Sequence, residues 1–208
     1  SVAPDSRPIS AAGSMHGIGP FCVPRHHRAE AAWPRCDTRL VIAVVTGADR
    51  PDEHPELVDA LRAAGWTTQA WTPAEAEQDR GFPVGAQIVV FGAPPGTSPL
   101  LESQAFQEAT VLYAYVDGAR GTVGPMTAAG SAPCPTCLTD AIDVATPDPL
   151  LARWVAAGVV LEIETLHRRR AGTLFATSLS WSLQDDPGVS SARHHRRAHC
   201  RVPGCAEG

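Results

Sequence analysis

The sequence lacks the features that mark several large protein classes. No apolar run could cross a bilayer, which takes about 20 residues in a helix; Leu40-Val41-Ile42-Ala43-Val44-Val45 is typical of the longest. No N-terminal stretch combines a basic flank, an apolar run and a small-residue cleavage site, so no secretory signal is expected. No internal repeat or sustained low-complexity tract occurs. Positive charge is not in excess: the formal net charge is -5, so the molecule as a whole is not a polyanion binder. Six cysteines in 208 residues are too sparse for a disulfide-dense mini-protein. No Ser-His-Asp order or paired-carboxylate site stands out, so no catalytic residue is assigned. What remains is a soluble chain for a reducing, cytoplasmic setting, long enough for one domain with a real core.

The cysteines that are present fall into a pattern. Cys134-Pro135-Thr136-Cys137 and Cys200-Arg201-Val202-Pro203-Gly204-Cys205 are two close pairs far apart in sequence. A two-residue spacer lets two thiolates reach one ion from one tight turn, and a four-residue spacer is at the long end of the usual range. Pro133 and Pro135 stiffen the first turn; Pro203 and Gly204 bend the second. The expectation is a structural zinc held by Cys134, Cys137, Cys200 and Cys205, since four cysteines leave no open position for substrate. Two disulfides and buried free thiols are the alternatives, and a reducing setting favours metal. His199 is a candidate neighbour or replacement ligand. Cys22 and Cys36, with His26 and His27 between them, read as free side chains rather than a second metal site.

Residues 1–38 carry no sustained period and read as an irregular N-terminal arm or remnant. From residue 39 the pattern sharpens. The β-branched run to Val45 predicts a strand buried on both faces. A polar loop follows, and Pro55 suits a first helical turn. Leu57, Val58, Leu61 and Ala64 share a helical face, and Gly65 ends the helix. Residues 67–71 and 87–91 read as strands, 99–109 as a helix, and 111–116 as a strand. Asp117-Gly118 then turns the chain into a return strand. Residues 147–170 predict a long helix with Leu150, Leu151, Trp154, Val155, Ala157, Gly158, Leu161 and Leu166 on its apolar face. Arg168-Arg169-Arg170 close it, where the helix dipole favours them. A strand over 173–181 and a polar basic linker lead to Cys200. Trp154 and Trp181 are read as core rather than ligand platforms.

This order resembles the ThiF-type, ubiquitin-activating-like adenylating fold. Three runs carry a narrower resemblance: Leu112-Tyr113-Ala114-Tyr115-Val116, Gly121-Thr122-Val123-Gly124-Pro125-Met126, and Pro133-Cys134-Pro135-Thr136-Cys137-Leu138. With the closing His199 to Cys205 stretch they are similar to cyclodehydratase partner proteins of azole- and azoline-modified ribosomal peptides, including thiopeptide-like ones. The resemblance covers residues 39–205. It implies an α/β, truncated Rossmann-like ThiF-type domain closed by a tetra-cysteine zinc site (134–137 with 200–205). It also implies a role beside a YcaO-type ATP-dependent enzyme and a precursor peptide.

The departures bear on chemistry. A working enzyme of this fold places a Gly-rich loop after the first strand, so that backbone N–H groups can approach phosphates. Here residues 47–55 hold one glycine and the carboxylates Asp49, Asp52 and Glu53. Thr72-Pro73 stands where an acidic ribose-binding residue would follow the second strand. The winged-helix peptide-recognition module of many such partners is not expected either, because the residues before the first strand do not alternate. Strand addition at an open sheet edge is the remaining route for a peptide, with 67–71 or its neighbour as candidate. The reading is a non-catalytic partner that docks a tailoring enzyme and helps present its peptide, with a homodimer as an alternative assembly. A divergent adenylating or acyl-transfer enzyme, and a zinc-stabilised nucleic-acid or tRNA binder using the basic runs near Arg168 and Arg193, stay open. If the loop reading is right, titration calorimetry with magnesium and ATP will show no micromolar binding. Such binding would overturn it, and Arg50 and His54 would then be the first residues to replace.

Overall fold

The computed structural model describes residues 40–47, 55–139, 147–184 and 187–207. All belong to one unit, Thr38–Gly208. The expectations for residues 1–38, for Cys22 and Cys36, and for most of the 47–55 loop lie outside the described residues.

Strand β1 (Val41–Val45) pairs in parallel with β2 (Thr67–Trp71) and β3 (Ile88–Phe91), and β3 with β4 (Thr110–Asp117). From β4 the sheet turns antiparallel through β5 (Arg120–Thr127), β6 (Thr177–Ser182) and β7 (Gly188–Arg193). The order is β2-β1-β3-β4-β5-β6-β7. Helices α1 (Pro55–Ala63) and α5 (Pro149–Arg169) cover one face. Helices α2 (Pro73–Gln78), α3 (Pro99–Glu108) and the single turn α4 (Pro135–Leu138) cover the other. The strand period of two sorts each strand between these layers. Ile42 and Val44 face α1 and α5, while Ala43 and Val45 face α2 and α3. This explains why β1 and β3 read as continuous apolar runs: both faces are buried.

Helix α5 starts where Asp148 accepts from the N–H groups of Leu150 (2.8 Å) and Leu151 (3.3 Å), with Pro149 in the first turn. It ends at Arg170, in the left-handed region at φ 56°. Its buried stripe is Leu151, Val155, Ala156, Val159, Glu162 and Ile163. This corrects the expected apolar face. Leu150, Ala157 and Leu161 point outward, and Leu161 is 68% exposed. Ala64 after α1 is likewise exposed. Trp154 and Trp181 are half-buried and meet edge to face at 5.8 Å.

Three further differences have local causes. The strand expected from residue 173 starts at Thr177. The buried Glu162 carboxylate accepts from the N–H groups of Thr173 (2.6 Å) and Leu174 (2.9 Å), donors that a ladder would otherwise use. The expected basic linker contains β7, a strand exposed along its whole length. Helix α2 was not expected, yet its start is a capping box: the Thr72 hydroxyl accepts from Glu75 N–H, and Thr72 N–H donates to the Glu75 carboxylate at 2.8 Å.

The corrected face of α5 predicts a contrast. Ile163→Ala, at a fully buried site, should destabilise by about 2–5 kcal/mol. Leu161→Ala should stay within about 0.5 kcal/mol. Urea unfolding of both variants tests the assignment, and equal losses would refute it.

Candidate metal centre

The return strand β5 delivers the first cysteine pair. At its end the buried Thr127 hydroxyl donates to the Pro133 carbonyl, which fixes the chain just before Cys134. Pro135 then opens α4, and Cys137 N–H donates to the Cys134 carbonyl at 2.9 Å. The turn places both sulfurs on one side, 3.8 Å apart.

The second pair arrives from the C-terminal segment, which is held by its backbone. Gly130 N–H donates to the Gly204 carbonyl (2.6 Å) and Ala206 N–H to the Ala132 carbonyl (3.2 Å). The Gln107 side chain reaches the Pro203 carbonyl at 3.0 Å. Gly204 sits at φ +76°, and a Cβ there would lie 2.8 Å from the Cβ of Ala129. Only glycine fits so close an approach.

The four expected ligands are thereby brought together: one sulfur from each of Cys134, Cys137, Cys200 and Cys205, all within 4.8 Å of one another. Such a group could hold a metal ion. Cys134 lies 3.6 Å from Cys200, and Cys137 lies 3.8 Å from Cys205. Four sulfurs about 2.3 Å from a tetrahedral ion would stand about 3.8 Å apart. A disulfide needs about 2.05 Å, and all four cysteines are free. Backbone donors also point at the sulfurs: Cys134 N–H at Cys205 and Arg197 N–H at Cys137, each at 3.3 Å. Hydrogen bonds of this kind favour the thiolate form that metals bind. The donor set therefore fits a borderline-soft cation. His199 is exposed and is not a member of the group.

Without a metal the thiols of Cys134, Cys200 and Cys205 are not equivalent. Burial, with the neighbouring sulfurs adding to it, pushes the Cys134 thiol up to about 12. The Val202 N–H, bonding to the sulfur, brings Cys200 down to about 7. Burial raises Cys205. A cation bound by all four sulfurs would have to displace the proton of Cys134. Affinity must then fall as pH falls.

Three neighbours of the site were not anticipated. Arg197 belonged to a segment read as a solvated basic tail; instead its guanidinium donates to the Thr139 carbonyl at 2.7 Å. Arg196 similarly reaches the Cys200 carbonyl at 2.7 Å. Glu102, 1% exposed, accepts from the N–H groups of Gly96 and Ser98 (each 2.8 Å) and from the Tyr113 hydroxyl (2.9 Å). Burial, and then the Glu102 carboxylate, hold the Tyr113 phenol well above its usual value, so it stays a donor. The loop that Glu102 gathers lies against Thr139, just past the first cysteine pair: a Cβ on Gly96 would meet the Thr139 methyl at 2.6 Å. Helical spacing puts Glu102 on the buried face of α3 with Ala105 and Phe106, but a carboxylate is not a residue type expected in a core.

No protein-family model and no curated protein matches the sequence. Solved structures do match. The heterocyclase TruD superposes with a TM-score of 0.60 at 16% identity, over 80% of this chain and 27% of that one. A heterocyclase in complex with substrate and cofactor gives a TM-score of 0.60 at 16% identity, over 80% of this chain and 25% of that one. E. coli MccB with ATP gives 0.56 at 11% identity, over 80% and 67%. The chain thus spans about a quarter of the heterocyclases' length. At these identities the likeness is one of fold. The described chain is a mixed α/β unit with a seven-stranded sheet, similar in fold to the heterocyclase TruD and to E. coli MccB, in keeping with the ThiF-type resemblance of its motifs.

Proposed function

We propose that the chain is a non-catalytic, ThiF-like partner protein in the biosynthesis of a ribosomally made, post-translationally modified peptide. It docks a YcaO-like or other tailoring enzyme in the cytoplasm and helps present the precursor peptide. The observation that carries this reading is the shared fold. The similar structures include heterocyclases and MccB, and MccB has been seen with MccA. The acidic character of residues 47–55 supports the non-catalytic part, since carboxylates there would repel a triphosphate.

The cysteine cluster serves this role as a clasp. The ion it is built for is zinc, held by Cys134, Cys137, Cys200 and Cys205, which would cross-link segments 66 residues apart. No step of chemistry runs through it, because four protein sulfurs fill a tetrahedral shell. Purified chain should contain about one zinc per molecule by elemental analysis. Cys137→Ser should release it, and limited proteolysis should then cut within residues 194–207. Wild-type protein free of zinc, carrying two disulfides by mass, would defeat the assignment.

The partner role is tested by reconstitution. The isolated chain should release no pyrophosphate from ATP. Mixed with the tailoring enzyme encoded beside it, the chain should form a stable complex in sedimentation and raise modification of the precursor, read as loss of water by mass spectrometry. Unchanged modification without the chain, together with no complex, would refute the role.

A further inference from the structure

Strand β7 is the last in its sheet. Its six residues are exposed, and among the described residues no strand pairs with its outer edge. A row of backbone donors and acceptors is therefore left open, a ready template for another strand.

The face beside that edge has a defined chemistry. Trp181 packs on Trp154 of α5, so it points to the α5 side of the sheet. Val189 is its cross-strand partner and points the same way; it is 61% exposed. With side chains alternating, Arg193 joins Val189 on that side, four residues and about 13 Å further along. On α5, Trp154 and Leu161 share a stripe at helical spacing, which Arg168 continues.

The two elements run so that their like ends coincide. The first residues of α5 lie near the β4–β5 turn, because Asp148 N–H donates to the Gly118 carbonyl. The end of β6 lies there too, through Leu183 N–H and the Ala119 carbonyl. Two turns before the end of α5, Glu162 ties the helix to Thr173 and Leu174, just before β6 begins opposite Arg193. One end of this face is thus apolar, at Trp154, Trp181 and Val189. The other is basic: Arg193 ends β7, and the last turn of α5 carries Arg168 and Arg169. Arg168 pairs with Glu164, and no other ion pair is found among the described residues.

We propose that the β7 edge binds an extended peptide segment, apolar at one end and acidic at the other, by adding it to the sheet as an eighth strand. The open ladder selects a strand, and the charge complementarity selects its acidic end. A nucleic acid would satisfy the arginines but not the ladder. Nor are the tryptophans laid out as a platform for bases, since both are half-buried and pack edge to face on each other. That such a segment would be part of a precursor peptide rests on the function proposed above; the strand-adding, acidic chemistry does not.

The probe is a fluorescein-labelled Val-Ser-Val-Ser-Glu-Ser-Glu peptide, titrated against the full chain by anisotropy. Saturable binding is expected. It should weaken about tenfold in an Arg169→Glu, Arg193→Glu double variant, and again in Val189→Lys. The same peptide with prolines for serines should not bind, because proline cannot join a ladder. Circular dichroism of each variant should match wild type, since every changed site is exposed. The proposal is overturned if wild type does not bind the probe, if the variants bind it equally well, or if the proline peptide binds. It is also overturned if polyuridine, rather than the peptide, is what the arginine variant loses, or if sedimentation shows the edge closed by a second copy. A chain that binds the probe but never joins a tailoring enzyme would sink the partner role alone. One that joins the enzyme but ignores the probe would sink this inference alone.

Discussion

Four sulfur atoms within 4.8 Å of one another set the constraint on which the C-terminal third depends. The two pairs are separated by more than sixty residues, so bringing them together costs loop-closure entropy that grows slowly with length. Backbone bonds between 130–132 and 204–206 cover part of that cost. Crowding four sulfurs, one of them fully buried, still opposes the arrangement. A cation that turns four thiols into four thiolate ligands would make the arrangement favourable and would tie its binding free energy to folding. Most other features near the site serve to place sulfur: the Thr127 bond to Pro133, the glycine at 204, and the amides aimed at Cys137 and Cys205.

Two buried carboxylates do for loops what the sulfurs do for the tail. Glu102 gathers the turn after β3, and Glu162 gathers the turn before β6. Each accepts at least two backbone N–H groups that no ladder takes up, so burial leaves few orphan donors behind. Removing either carboxylate would leave those donors unpaired, a larger loss than the bond itself. The turn at Glu102 also touches Thr139 next to the first cysteine pair. The sheet, the loop and the sulfur cluster are therefore packed as one body.

The sequence made β1 and β3 legible because those strands are buried on both faces. Continuous Val and Ile runs can mean little else when glycine and proline bound them. The cysteine cluster was legible for a different reason: two close pairs with turn residues between them need no long-range reasoning to suggest one site. Strand β7 was hidden because Gly-Val-Ser-Ser-Ala-Arg has no buried face and hence no alternation to read. The outward leucines of α5 were misassigned because apolar residues cover more than half of its circumference, so composition did not say which side meets the sheet. Helix α2 was readable in principle from Thr72 and Glu75, whose spacing is that of a capping box.

The position of β7 ties these observations together. Glycine, serine and alanine give it little intrinsic strand preference, and among the described residues one of its two edges is unpaired. Its order must come from the ladder to β6 and from the segment at its C-terminal end. That segment is short: seven residues after Arg193 the chain reaches Cys200, with Arg197 N–H already donating to Cys137. The strand is held between a ladder on one side and the sulfur cluster at its end. His194 adds to this anchor: its N–H donates to the Ala176 carbonyl, and its ring lies 3.0 Å from the Ser178 hydroxyl. A metal bound by the four sulfurs would thus stiffen the edge as well as the tail. A strand edge pre-ordered in this way loses less entropy when another strand joins it, and affinity gained by pre-organisation needs no added contact. A clasp with no open coordination position can in this way still shape what the protein binds.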